Sequence, residues 1–93
     1  MSNATHIIKR VPGLSEPFDE RKLFTSIYAA CLSVGKYAGE AEVTAERICH
    51  DLAPWLHTKL EVTSADVRTQ AAKFLQRYNP DAAYMYSRHR IIE

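Results

Sequence analysis

The chain has 93 residues, of which 46% are hydrophobic and 25% charged, and a net charge of +1, with a pI near 7.8. That length supports one core, burying roughly 60 to 65% of the unfolded surface. Dedicated nucleic-acid binders are more often plainly basic, with a domain pI above about 9, so any basic surface on this chain is a local patch.

Residues 1–5 are small and polar and read as an expression tag or a disordered N-terminus, leaving 6–93 as one domain. His6 to Arg10 reads as a strand, Pro12-Gly13 has the composition of a type II turn, and a return strand follows around Leu14 to Glu16. Pro17 has no N–H to give a ladder, so it ends that strand or places it at an edge. Lys9 and Arg10 lie at the end of the first strand, and Arg21 and Lys22 at the start of the helix after it. Four cations thus fall at the two ends of one hairpin-to-helix unit.

Asp19 is a good N-cap for the first helix. Phe18 and Leu23 have the spacing of a hydrophobic staple. Leu23, Ile27, Ala30, Cys31 and Val34 mark its inner face, and Gly35 suits a left-handed C-cap. Lys22 lies off that face. A second helix is predicted from about Glu40 to Ala53, with Ala41, Ala45, Ile48, Leu52 and Leu56 inward and Pro54 stopping or kinking it. Lys59 to Val62 alternates too briefly to assign from its period. Thr63-Ser64-Ala65-Asp66 approximates a capping box and opens a third helix with Val67, Ala71, Phe74 and Tyr78 on one face. Asn79 caps a fourth helix with Pro80 at its first position, and that helix carries Tyr84, Tyr86, Arg88 and Arg90.

Several of these segments together resemble the ATP-cone domain, the nucleotide-sensing module of many ribonucleotide reductase large subunits and of the bacterial repressor of reductase genes. The likeness rests on Ile7 to Arg10, Gly13, Glu16-Pro17-Phe18-Asp19, Lys22-Leu23 with Ile27, and Ala83-Tyr84-Met85 followed by Arg88-His89-Arg90. It covers nearly the whole chain. One departure is the turn, where Val11-Pro12-Gly13 is a residue longer than the family's usual Asp-Gly. The resemblance implies an α+β fold, a four-helix bundle covered by a small three-stranded mixed sheet whose third strand falls near Lys59 to Val62.

A nucleoside triphosphate carries several negative charges, and holding it takes cations converging on one concave spot. Lys9, Arg10 and Lys22 are the candidates; the competing reading is a charged hairpin edge that discourages sheet extension. The resemblance places Glu16 and Asp19 beside the nucleotide, on a ribose hydroxyl, a neighbouring lysine or a magnesium ion, although Asp19 also serves as a cap. It implies Arg88 or Arg90 as a further phosphate clamp, where cations would also complement a helix C-terminus. It brings Ser64 near the base or sugar, where capping explains Thr63 and Ser64 equally well.

Cys31 and Cys49 are eighteen positions apart with no Cys-x-x-Cys, and read as reduced core thiols. Cys49, His50 and His57 lack zinc-site spacing, so no protein metal site is expected. No phosphate-binding glycine loop, dinucleotide fingerprint or nucleophile elbow occurs. The expectation is binding without turnover: ATP or dATP as effector, with or without magnesium, in a cytoplasmic regulatory domain. Its partner would be another copy or a ribonucleotide reductase catalytic region, with neither a membrane nor, on the charge balance, nucleic acid. The alternative is a small nucleic-acid- or protein-binding adaptor using the same cations.

Overall fold

The computed structural model of the protein describes residues 6–8 and 15–88. In chain order these form β1 (His6–Ile8), β2 (Ser15–Pro17), α1 (Glu20–Ser33), α2 (Ala38–His57), β3 (Glu61–Thr63), α3 (Ser64–Tyr78) and α4 (Pro80–Arg88).

Local chemistry sets the helix ends. Asp19 caps α1, its carboxylate accepting from the Arg21 amide at 2.9 Å. At the other end Gly35 has φ +89, its amide donates to the Leu32 carbonyl, and the Lys36 amide donates to the Cys31 carbonyl. These two bonds make a Schellman ending, which requires a residue that tolerates positive φ. Thr63 and Asp66 form a full capping box on α3: Asp66 N–H donates to Thr63 Oγ1 at 3.0 Å and Thr63 N–H to Asp66 Oδ2 at 3.2 Å. Asn79 joins α3 to α4. Its backbone amide donates to Leu75, while its side-chain oxygen accepts from the buried Ala82 amide at 3.0 Å.

The predicted rows meet in one core. Leu23, Ile27, Ala30 and Cys31 of α1 pack with Ala41, Ala45, Ile48, Cys49, Leu52 and Leu56 of α2, closed by the inner faces of α3 and α4. Two helix readings change. Pro54 does not stop α2, which runs to His57 with Pro54 inside it; Pro54 stands exposed in the last turn, and the buried Leu56 and half-buried Trp55 hold that turn against the core. On α3 the inner row is Val67, Ala71, Leu75, a straight i, i+4, i+8 line. Tyr78 is therefore not core but rim: its hydroxyl donates to Asp51 Oδ2 at 2.9 Å, and Arg47 lies 5.7 Å from its ring centre.

The strand order is β2-β1-β3. β1 runs antiparallel to β2, with Ile8 opposite Ser15 and His6 opposite Pro17, and parallel to β3, with Ile7 beside Val62 and Ile8 beside Thr63. Pro17 thus ends an edge strand.

The expected architecture, a bundle covered by a three-stranded sheet, is corrected. The body is mostly helical, and apart from Val62 the buried core residues come from the helices. Each strand has three residues, about 10 Å of chain, against roughly 20 to 30 Å for α1 and α2. Such strands form a fringe and cannot roof the bundle. Among the described elements the strand packed on a helix is β3, against α3, and it contributes Val62 to the core. The predicted turn at Pro12-Gly13 lies outside the described residues.

Candidate functional site

Tyr86 sits in the core where α4 meets the helices that carry the predicted site residues Lys22 and Ser64. It is 5% exposed, on the inner face of α4 with Ala82 and Ala83. Its hydroxyl interacts with the Ser26 side chain of α1 and feels the charge of Arg68 on α3. Burial pushes the phenol above its ordinary value, and the Ser26 hydrogen bond and the Arg68 charge oppose that only in part. Ser26 in turn donates to the Leu23 carbonyl at 2.7 Å. The buried Tyr86 phenol thus lies where α4 packs against both α1 and α3.

Each of those elements carries a predicted residue close by in sequence. Lys22 lies one turn before Ser26, exposed, in the first turn of α1. Ser64 lies one turn before Arg68, exposed, as the first residue of α3. Arg88 follows Tyr86 by two positions, exposed, with its guanidinium 5.1 Å from the Tyr84 ring centre. The sheet adds a fourth connection: the chain leaves β1 at Ile8, whose parallel neighbour is Thr63, the cap of α3. Asp19 is exposed and already accepts from the Arg21 amide, which favours its capping role. Glu16 sits in β2 opposite Ile7. Lys9, Arg10 and Arg90 lie outside the described residues.

Arg68, Lys73, Ser26 and Tyr86 are the residues that reading the sequence missed. A signal for the two cations was present: neither has an acidic residue three or four positions away on α3, so no helical ion pair neutralises either of them. Tyr86 was also traceable, because Ala82, Ala83 and Tyr86 recur at helical spacing.

Other chemistry is weak in the described part. Cys31 and Cys49 are free and buried, and burial first, then nearby carboxylates, pushes both thiols up, Cys49 to about 12. Neither thiol is an activated nucleophile. His50 and His57 are exposed, and among the described residues no group of three or more His, Cys, Asp or Glu is placed to hold a metal ion. Nor is any helix among them long and apolar enough to cross a membrane.

No family model, curated protein or solved structure matches the chain.

Proposed function

We propose that the domain is a non-catalytic allosteric sensor of ATP or dATP, similar to the ATP-cone module, acting in the cytoplasm on an attached or partner protein such as a ribonucleotide reductase or on further copies of itself. The observation that supports this reading is that α1 and α3, which carry Lys22 and Ser64 in their first turns, both pack on α4, which carries Arg88 in its last turn. The exit of β1 towards Lys9 and Arg10 lies beside Thr63 at the start of the same α3. A triphosphate held between the hairpin cations and Arg88 or Arg90 would draw the hairpin and α4 together. Its effect on a partner is then set by its differential affinity for the open and closed arrangements. Magnesium, where present, would be held mainly by the phosphates of the nucleotide. ATP and dATP differ by one hydroxyl, and Glu16 is the carboxylate proposed to read it.

Calorimetry on the full chain tests this. ATP should bind, and Lys9→Ala should weaken it about ten- to a hundredfold, the loss of a charge-assisted bond of about 1.5 to 3 kcal/mol. Unchanged ATP affinity in that variant rejects the assignment. A thermal-shift series with ATP, dATP, GTP and a duplex oligonucleotide separates the adaptor reading, which predicts no adenine preference and a steep salt dependence.

A further inference from the structure

A groove runs along the outer side of α3, from Ala65 to Gln76, and is closed at one side by Ser87 of α4. Its volume is about 610 Å³, within the range of small-ligand sites. Ala65, Thr69 and Ala72 make a shallow floor of small side chains, and Arg68 and Lys73 both line it. Five residues apart on a helix, these two cations project about 140° from one another. They therefore flank the floor on opposite sides. Among the described residues no carboxylate lines the groove. The nearby acid of the same helix, Asp66, is engaged by the Thr63 amide in the capping box. Among the described residues neither Arg68 nor Lys73 forms an ion pair. Two unneutralised cations over a floor with hydroxyl and amide groups create a local positive potential in a near-neutral protein.

We propose that this groove is an oligophosphate-binding site, with Arg68 and Lys73 gripping successive phosphates from its two flanks. Thr69 and Gln76 supply neutral donors from the floor. Ser87 contributes lone pairs and shape, since its hydroxyl proton goes to the Ala83 carbonyl at 2.8 Å. The site shares no ligand-binding residue with the proposed nucleotide set, although Arg68 also acts on the Tyr86 phenol, and it does not depend on that reading. An oligophosphate suits it better than a single phosphate, because the two cations start from opposite flanks of the floor and a longer anion can meet both charges while lying along it.

The test uses inorganic tripolyphosphate titrated into the full chain, followed by calorimetry and by amide chemical shifts. The wild-type protein should bind it, with the largest shifts on α3 between Ala65 and Gln76. Arg68→Gln combined with Lys73→Gln, both on the outer side of the helix, should weaken binding at least tenfold. A control with the same loss of charge, Lys36→Gln combined with Arg77→Gln, should bind within twofold of wild type. Equal losses in the two double variants would reduce the effect to general electrostatics and overturn the site, as would binding unaffected by the groove variant. Loss in Lys22→Ala but not in the groove variant would move the anion to the hairpin end and overturn it too. A duplex oligonucleotide that binds through Arg68 and Lys73 while tripolyphosphate does not would overturn the choice of ligand. Tripolyphosphate binding that survives Lys9→Ala while ATP binding is lost would support the groove whatever the standing of the nucleotide site.

Discussion

The centre of the helix core and the surroundings of the Tyr86 hydroxyl differ in what holds them. In the middle, Ile27, Ile48, Leu52 and Leu75 are fully buried, and α1 and α2 meet along most of their length. Around Tyr86, one buried phenol and one buried serine lie among helices whose exposed cations include Lys22 and Arg88. The first region is held by removal of apolar surface from water, which is non-directional and tolerant of detail. In the second the same burial continues through Ala82, Ala83 and Tyr86, with a few directional contacts added to it, while the exposed cations remain in solvent. The difference teaches where stability and recognition reside: substitutions in the middle should change how well the protein folds, and substitutions of the exposed cations should change what it binds.

The largest effect expected is Leu75→Ala. This side chain is fully buried at the C-terminal end of the α3 row, and its truncation should cost about 2 to 5 kcal/mol in urea unfolding. A loss below about 1 kcal/mol would mean that the core is not closed by α3 and would break the comparison. Next in size is alkaline destabilisation through Cys49. Its thiol is raised in the folded state from 9.0 to about 12, by burial first and then by the charges of Glu20 and Glu46. Above pH 9 the unfolded thiol ionises while the folded one keeps its proton, so the unfolded state binds fewer protons and stability falls as pH rises. The slope approaches about 1.4 kcal/mol per pH unit between the two values. Tyr86 and Cys31, both raised, add to the same direction. Urea titrations from pH 8 to 11 should show the decline, and Cys49→Ala should flatten part of it; an identical slope in the variant would remove Cys49 as a cause.

Legibility followed the same division. The middle was readable because helical burial is periodic and helix ends are marked by single residues: Asp19, Gly35, Thr63 with Asp66, and Asn79 with Pro80 all act as their chemistry predicts. Pro54 misled because its position within a turn, and not its presence, decides whether α2 ends; Leu56 and Trp55 outweigh one missing amide. Tyr78 misled because an aromatic at helical spacing can as well sit on the rim, where Asp51 and Arg47 occupy its polar and π faces. The strands were the least readable element. Three residues give no period, and the parallel pairing of β1 with β3 joins segments more than fifty positions apart, which no local pattern encodes. For the same reason the sequence gathered the candidate cations along the chain but did not show that Ser26 and Tyr86 are neighbours or that the charge of Arg68 reaches the phenol. Arg68 and Lys73 went unnoticed because unpaired surface cations look like ordinary solvated residues until a groove is seen between them.

Tyr86→Phe sharpens the comparison most, although its effect is the smallest. The variant keeps the ring, and so the packing of α4, while it deletes the hydroxyl that faces Ser26. Ser26 remains satisfied through its bond to the Leu23 carbonyl, so no buried donor is orphaned and the stability loss should be about 0.5 to 1.5 kcal/mol. If the hydroxyl also aligns the end of α4 with the start of α1, ATP affinity should fall severalfold in the same variant, although Tyr86 is too buried to touch a ligand. Lys22→Ala should show the converse, weaker ATP binding with an unchanged unfolding midpoint. A Tyr86→Phe protein that loses stability but binds ATP as the wild type does would confine Tyr86 to packing, and the joint between the two regions would have to lie elsewhere.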